Sequence, residues 1–319
     1  MKIKILDRAT LGSDVPLDAL TPLGELEVFD RTSPNELPER IKDADIIILN
    51  KVRIDAAALA IAKKLRLICV TATGYDNIDL DAARSHGVGV TNVPGYSTDS
   101  VTLFTMATTL TLVAHIREYN QYVRSGEYTM SGVANRLAPV YHEVRGLTWG
   151  VIGYGNIGRA VANVAKAMGA HVIANKRTPC EDIECVDIDT LCRRSDIITI
   201  HCPLNKDTHH LIDEHRLDMM KPEVVVVNEA RGAVVDSEAI VRAIKNGNIG
   251  AYGADVYECE PLEKDHPFNE IMHLENVLLT PHAAWGAYES RKRCLEIVAS
   301  NIKAFNTGET QNRVDISRQ

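Results

Sequence analysis

The chain has 319 residues, of which 45% are hydrophobic and 24% are charged. This is the composition of a globular protein, and the length is enough for two hydrophobic cores, so we expect two domains. The formal net charge is -8, and Lys and Arg form no long run, which argues against a nucleic-acid partner.

The N-terminal stretch MKIKILD enters an alternating strand pattern without the apolar segment of a signal peptide. The longest apolar runs, such as VVVV at 224–227, are far too short to cross a membrane. We therefore expect a soluble, cytoplasmic protein. The seven cysteines are an odd number and include no CxxC pair, so reduced thiols are expected rather than a disulfide framework.

Residues 1–98 alternate short apolar strands with helical stretches, as in a parallel sheet covered by helices. The predicted strands are KIKILD, LEVFD, ADIIILN, LRLICVTAT and GVGVTNV. Gly87 stands where a glycine ends a helix. Residues 97–126 have no Pro or Gly before Gly126 and predict one long connecting helix, although their many Thr residues lower the helix propensity.

A second alternation of strands and helices begins at Leu147, and its six strands are enough for a doubly wound nucleotide-binding domain. Residues 286–308 are again helical and are predicted to return to the first domain. The fold class is therefore α/β, with two doubly wound parallel-sheet domains. The six predicted strands are LTWGVIG, HVIAN, DIITIHCP, EVVVVN, IGAYGADV and NVLLTPH.

The stretch VIGYGNIGRA contains the pattern G-x-G-x-x-G, between a predicted strand and a predicted helix. Gly153 would make the tight turn, Gly155 would let the backbone approach a pyrophosphate, and Gly158 would allow close packing of the helix. The first N–H groups of the helix, at Asn156 and Ile157, would face the anion. The pattern predicts a dinucleotide site.

The second strand of this domain bears on the choice of cofactor. An NAD site usually has an acid at its end, which binds the ribose hydroxyl. Here the strand runs into Lys176, Arg177 and Thr178, and the first acid is Glu181. Two cations and a hydroxyl suit a 2′-phosphate, so NADP(H) is favoured over NAD(H). The alternative is that these are solvated turn residues and that NAD binds through the backbone or Glu181.

Three further predicted strands end at the same edge of the sheet as the glycine loop. They lead to Arg231, to Asp255 and Glu260, and to His282. Arg231 would bind and polarise an anionic carbonyl substrate, His282 would donate a proton, and Glu260 would orient His282 and keep it protonated. Singly, each residue could lie in a solvated loop, and Glu260 could be a turn acid before Pro261.

Together, GYGNIGR, NEARGAVVD, GADVYECEPL and LLTPHAAW resemble the D-isomer-specific 2-hydroxyacid dehydrogenases over nearly the whole chain. The resemblance implies a flavodoxin-like substrate domain, 1–98 with 286–319, and a Rossmann-type domain, 99–285, with the active site in the cleft. It assigns Arg231, Glu260 and His282 as catalytic. It assigns the substrate carboxylate to Thr73 and Gly74 with Arg231 and His282, and further cofactor contacts to Cys202, Pro203, Thr208, Ala230, Asp255 and His282.

By this resemblance, a 2-oxo acid such as hydroxypyruvate or glyoxylate is reduced to the D-2-hydroxy acid, with His282 giving the proton, and the reverse oxidation is also expected. Trp285 and PGYSTDSV at 94–101 resemble the glycerate dehydrogenase and hydroxypyruvate reductase branch. The family also implies a homodimer through the connecting-helix region. Two departures stand out: Lys176 replaces the usual acid, and Glu229 occupies a position that is usually small or apolar.

Other interpretations remain open for the function. They are D-lactate, formate or phosphite dehydrogenase activity, or a non-enzymatic NAD(H)-sensing protein like the corepressors of this fold. No metal is predicted, because His209, His210 and His215 lack a partner at ligand spacing and are interpreted as a solvated cluster. Cys259 is interpreted as a small filler residue.

Overall fold

A computed structural model describes residues 1–178 and 180–316. The chain divides into two compact units: unit 1 is Met1–Ser97 with Trp285–Gln319, and unit 2 is Thr98–Ala284. Each boundary lies one residue before the one predicted from the sequence.

The strands in chain order are β1 (Lys2–Ile5), β2 (Glu25–Val28), β3 (Ile46–Leu49), β4 (Leu67–Val70), β5 (Gly89–Thr91), β6 (Thr148–Ile152), β7 (His171–Asn175), β8 (Glu184–Cys185), β9 (Ile197–Ile200), β10 (Val225–Asn228), β11 (Ala251–Ala254) and β12 (Val277–Leu279). The α-helices are α1 (Leu37–Ile41), α2 (Ala56–Ile61), α3 (Leu80–Ser85), α4 (Thr98–Val113), α5 (Ile116–Arg124), α6 (Glu127–Ser131), α7 (Asn156–Ala167), α8 (Ile188–Arg194), α9 (Glu214–Asp218), α10 (Ser237–Asn246) and α11 (Tyr288–Thr307). Short 3-10 helices lie at Arg8–Leu11, Thr21–Leu23, Gly232–Val234 and Pro267–Glu270.

Unit 1 contains a five-stranded parallel sheet in the order β2-β1-β3-β4-β5. This is the flavodoxin-like order, and it confirms the predicted fold class for this unit. All residues of β3 and β4 are buried, because helices cover both faces of such a sheet. Asp55 and Asp79 cap α2 and α3 by accepting hydrogen bonds from backbone N–H groups. Gly87, with φ +70°, follows the end of α3 as predicted.

Unit 2 contains a seven-stranded parallel sheet in the order β12-β11-β10-β9-β6-β7-β8. The strands progress outward in both directions from the central strands β6 and β9, which is the doubly wound arrangement and confirms the predicted Rossmann-type class. The predicted number of six strands was wrong, because β8 was missed. This edge strand is only two residues long and has no apolar run by which a sequence pattern could indicate it.

The single connecting helix predicted over 97–126 was also wrong. The segment forms α4 and α5, which meet at an angle of 64°. His115, between them, has φ +49°, and one left-handed residue interrupts the hydrogen-bond ladder of an α-helix. Among the described residues, no single helix is long and apolar enough to cross a membrane, and α4 and α5 reach that length and composition only as this bent pair.

Candidate active site

The glycine loop has the geometry that the sequence pattern predicts. Gly153 has φ +91°, and a Cβ atom there would lie 2.5 Å from the backbone nitrogen of Cys202. A Cβ atom on Gly158 would lie 2.1 Å from the carbonyl oxygen of Gly153. No larger residue fits at either position without moving backbone. Gly155 differs, since nothing lies within 4 Å of the place that its Cβ would take.

Gly155 is also the N-cap of α7, and no side chain of its own caps the helix. The N-terminus of this 12-residue helix therefore presents its first N–H groups, including those of Asn156 and Ile157, beside open space. An uncapped helix N-terminus attracts anions. These residues fit the pyrophosphate of a dinucleotide cofactor.

Past the end of β7, Lys176 is half-buried and Arg177 and Thr178 are exposed. No described residue forms an ion pair with either cation. The nearby acid Asp182 is already bound, because Arg159 donates a short hydrogen bond to it and the Tyr154 hydroxyl lies 3.3 Å from its Oδ2. Lys176, Arg177 and Thr178 follow β7 directly, and their contact with a cofactor stays a prediction.

The segment after β9 packs under the glycine loop. Burial raises the pKa of the Cys202 thiol to about 11, so this thiol stays protonated at pH 7. The Thr208 hydroxyl donates to the carbonyl oxygen of Pro203 at 2.7 Å, which closes a turn at this edge. His201 has both ring nitrogens buried, and burial lowers its pKa to about 3. Contacts from Cys202, Pro203 and Thr208 to a cofactor remain predictions.

His282 and Glu260, which are 22 positions apart in sequence, form a direct pair. The distance from His282 Nδ1 to Glu260 Oε2 is 2.7 Å, and each side chain is 26% exposed. The pair is thus reachable from outside the protein. Since Nδ1 faces the carboxylate, Nε2 is the ring nitrogen that can exchange a proton with a bound molecule. Glu260 is further held by the backbone N–H of Tyr257, 3.3 Å from its Oε1.

Asp255 holds the segment that carries His282. Its buried carboxylate accepts hydrogen bonds from the Thr280 hydroxyl at 2.6 Å and from the N–H groups of Ala283 and Ala284, both at 2.8 Å. Its carbonyl oxygen accepts from the His282 N–H at 2.8 Å. We call this arrangement the Asp255 clamp. It fixes His282 at φ +52°, a left-handed conformation that non-glycine residues seldom adopt without such support.

The clamp bears on the predicted contact of Asp255 with the nicotinamide carboxamide. Both carboxylate oxygens are already used inside the protein, so the contact stays a prediction. No sequence pattern indicated the hydroxyls of Thr280 and Ser100, the second of which donates to the carbonyl oxygen of Ala284 at 2.5 Å. Thr and Ser in apolar stretches give no pattern that marks such a partner.

Arg231 follows β10 in a turn pressed against the segment that leads to Glu260. A Cβ atom on Gly232, the next residue, would lie 1.9 Å from the backbone carbon of Tyr257. Glycine therefore allows the Arg231 turn to approach the backbone three positions before Glu260. The Arg231 Nη1 atom donates to the carbonyl oxygen of Ala230 at 2.8 Å.

Thr73 and Gly74 belong to unit 1, in the loop that follows β4. The Thr73 hydroxyl donates to the carbonyl oxygen of Val93 at 3.0 Å, and the Asn92 amide donates to the carbonyl oxygen of Thr73 at 2.8 Å. These bonds fix the loop. Within the described chain, the backbone N–H groups of Thr73 and Gly74 make no backbone hydrogen bond.

The structure also places Trp285 and Cys259. Trp285 packs against the core of unit 1, where its ring meets that of Tyr96 edge to face at 6.2 Å. Cys259 is exposed, so its interpretation as a filler residue was wrong. The charge of Glu263 raises the pKa of this thiol, and a raised pKa makes it less reactive.

The chain is similar to a known family and to several characterised proteins. The family model for the NAD binding domain of D-isomer specific 2-hydroxyacid dehydrogenases matches residues 106–284. The chain is 34% identical to a hydroxypyruvate reductase of Blautia hydrogenotrophica, over 99% of this chain and 100% of that protein. It is 38% identical to a glyoxylate reductase of Thermococcus litoralis, over 86% of this chain and 84% of that protein.

Solved structures agree with these matches. The acyclic imino acid reductase Bsp5, in complex with NADPH and D-Arg, has a TM-score of 0.88 and 30% identity, with 98% of this chain and 100% of that chain covered. A D-lactate dehydrogenase of Aquifex aeolicus, complexed with NAD and lactic acid, has a TM-score of 0.87 and 30% identity, with both chains fully covered. The protein is therefore an enzyme that uses a nicotinamide cofactor, and it belongs to the D-isomer specific 2-hydroxyacid dehydrogenase family.

Proposed function

We propose that the enzyme reduces a small 2-oxo acid, hydroxypyruvate or glyoxylate, to the D-2-hydroxy acid, and catalyses the reverse oxidation. The observation that carries the proposal is the His282–Glu260 pair, with its 2.7 Å hydrogen bond. A histidine held at Nδ1 by a carboxylate can give a proton from Nε2 to a carbonyl oxygen and take it back. The names of the two relatives support the choice of substrate.

The remaining roles follow from the charges at the strand ends. A reduced nicotinamide, when bound, supplies the hydride to the carbonyl carbon. Arg231 binds the anionic substrate and draws electron density toward its carbonyl oxygen. Glu260 orients the imidazole through its contact with Nδ1. The Asp255 clamp keeps His282 in its left-handed conformation through the reaction.

For the substrate carboxylate we propose the backbone N–H groups of Thr73 and Gly74, together with Arg231. The hydrogen bonds of Thr73 to Val93 and Asn92 support this role, because they fix the loop while the N–H groups of Thr73 and Gly74 make no backbone hydrogen bond in the described chain. Backbone N–H groups bind carboxylates well where a loop holds them in place.

A substrate panel tests the proposed function. The purified enzyme is assayed with hydroxypyruvate, glyoxylate, pyruvate and longer 2-oxo acids, and in reverse with D-lactate, formate and phosphite, using NADPH or NADH and their oxidised forms. We expect the highest kcat/KM with hydroxypyruvate or glyoxylate. A clear preference for pyruvate, formate or phosphite would contradict the proposed substrate, and no turnover at all would favour a sensing protein.

We also propose that NADP(H) is preferred over NAD(H). The support is the cluster of Lys176, Arg177 and Thr178 past the end of β7. Within the described chain, neither Lys176 nor Arg177 forms an ion pair. Cations without a protein partner are suited to bind a 2′-phosphate, and arginine can do so with two parallel hydrogen bonds. The nearby Asp182 is bound to Arg159 and does not neutralise them.

Replacing both cations, in Lys176→Ala with Arg177→Ala, should weaken NADPH far more than NADH. We expect Kd for NADPH to rise about 10- to 100-fold, since charge-assisted hydrogen bonds contribute about 1.5–3 kcal/mol each before solvent screening. Kd for NADH should change less than about threefold on the same reasoning. Fluorescence titration measures both constants. The matched control is Lys63→Ala with Lys64→Ala, an exposed pair in unit 1 with the same change of charge. Equal losses for the two cofactors would contradict the proposed role.

We propose further that the enzyme is a homodimer through the segment from α5 to residue 141. This segment exposes several large apolar side chains to an extent that is rare on a free surface. The five most exposed are Met130 at 77%, Leu137 at 79%, Val140 at 72%, Val133 at 57% and Val123 at 56%. A second copy of the same surface would cover them, as in a two-fold symmetric interface.

Light scattering should therefore give twice the chain mass of 35.1 kDa. Met130→Lys with Leu137→Lys should shift the mass to that of one chain, because charges at the centre of an apolar interface remain unpaired when it forms. The control is Met272→Lys, which places a lysine at a 46% exposed apolar position elsewhere in unit 2. A wild-type protein with the mass of one chain would rule out this interface.

A further inference from the structure

Glu229, for which the sequence offered no explanation, is a buried carboxyl group next to the proposed catalytic residues. It is 8% exposed, and neither of its carboxyl oxygens makes a hydrogen bond of ordinary geometry within the described chain. Burial, and then the charge of Asp255, raise the pKa of Glu229 to about 9, while the Thr108 hydroxyl acts in the opposite direction. The cation on its own segment, Arg231, donates from Nη1 to the carbonyl oxygen of Ala230. Glu229 is therefore neutral at pH 7.

The neighbours of Glu229 come from β11, from the residues just after β11 and from α4. They are Tyr252, then Asp255 and Tyr257, and Thr108. Burial raises the pKa of Tyr257 to about 12, and that of Tyr252 is raised further, so neither phenol ionises near pH 9. Asp255 is the charged group in this set that faces Glu229.

Asp255 can hold the His282 segment only while its carboxylate accepts hydrogen bonds. Its partners are the Thr280 hydroxyl and the N–H groups of Ala283 and Ala284. If Glu229 also ionised, two carboxylates would share one buried region, and like charges there disfavour each other strongly. Asp255 would then have to take up a proton or move away, and either change weakens the clamp.

We propose that Glu229 is a positioning residue, which must be uncharged for the Asp255 clamp to hold His282 in its reactive conformation. The inference rests on the proposed function, in which His282 transfers the proton. It gives the enzyme an alkaline limit that belongs to Glu229.

Oxidation of D-glycerate, or of the D-2-hydroxy acid preferred in the panel, is the direction to test, because His282 must then accept a proton. Toward high pH, kcat should fall as Glu229 ionises. At pH 10 it should lie about tenfold below its maximum, since one pH unit above a pKa of about 9 leaves about a tenth of Glu229 protonated. Glu229→Gln should abolish this fall.

Two further variants complete the test. Glu229→Leu is neutral and apolar and should abolish the fall in the same way, which keeps the test open if Glu229→Gln does not fold. Glu238→Gln removes an exposed carboxyl group on α10, 69% exposed as a side chain, and should keep the wild-type fall. Circular dichroism at pH 10 should show that the wild type and the variants remain folded.

Thermal unfolding gives a readout that does not depend on turnover. Because folding raises the pKa of Glu229 above its ordinary value of 4.5, the wild type loses stability as the pH rises from 4.5 toward 9. Glu229→Gln has no carboxyl group at this position and therefore does not lose this stability. Its Tm should therefore exceed that of the wild type at pH 8, and the difference should shrink as the pH is lowered to 4.5.

The outcomes separate the two proposals. An alkaline fall that persists in both Glu229 variants, a Tm difference that does not depend on pH, or unfolding of the wild type at pH 10 would overturn this inference alone. Failure of the wild type to oxidise any D-2-hydroxy acid would overturn the proposed function and this inference with it. A wild-type kcat without an alkaline fall would leave the proposed function standing and refute the role of Glu229.

Discussion

His282→Asn should lower kcat for reduction of the preferred 2-oxo acid by about 10²- to 10⁴-fold, which is the usual contribution of a general acid. Asparagine is chosen because it tolerates the left-handed conformation that His282 adopts at φ +52°. The Asp255 clamp can then form as before, since it uses the backbone at 282–284 and the Thr280 hydroxyl. The loss should therefore reflect the missing imidazole and leave the fold intact. Stopped-flow or steady-state oxidation of NADPH measures it.

His171→Asn is the matched control for this prediction. His171 also pairs with a carboxylate, at 3.1 Å from Nε2 to Glu184 Oε2, but it starts β7 and so lies at the amino end of a strand. The control should keep the wild-type kcat. Cofactor binding, followed by fluorescence, should be unchanged in both variants. A His282→Asn enzyme with the wild-type rate would show that the proton comes from another group.

Arg231→Gln should lower kcat/KM by about 10²- to 10³-fold, because one donor that stabilises developing negative charge has an effect of this size. Glutamine keeps a polar amide but loses the charge and the paired N–H groups of guanidinium. Both binding of the carboxylate and polarisation of the carbonyl depend on that charge. We therefore expect KM to rise and kcat to fall, and the saturation curve separates the two.

Arg242→Gln serves as the control for Arg231. Its side chain is 48% exposed on α10 and lies 3.1 Å from Glu214, and exposed ion pairs of this kind contribute about 0–1 kcal/mol. Its activity and Tm should stay close to those of the wild type. If Arg231→Gln raised KM alone and left kcat unchanged, Arg231 would bind the substrate without acting on the transition state.

The parts of the fold that the sequence predicted are those whose signal is local. Buried parallel strands such as β3, β4 and β10 are short, unbroken apolar runs, because both of their faces are covered. The glycine loop was readable for a similar reason. At Gly153 and Gly158 a side chain would collide with backbone at 2.5 and 2.1 Å, so the requirement for glycine is visible in the residue type itself. The pairing of Glu260 with His282 was predicted from where their strands end.

No local pattern in the sequence indicates several other features. The break at His115 and the two-residue strand β8 belong to this group. So does the environment of Glu229, whose charge is decided by burial and by Asp255.

The Asp255 clamp shows the reason most clearly. β11 and β12 pair in parallel with Ala254 opposite Leu279, so the next residues, Asp255 and Thr280, meet at the sheet edge. The sequence by itself determined which strands form, apart from β8, which glycines the loop requires and which residue types carry the chemistry. Only the register between strands decided that a buried carboxylate holds the backbone of His282, because hydrogen bonding at a sheet edge depends on which residues the pairing brings side by side.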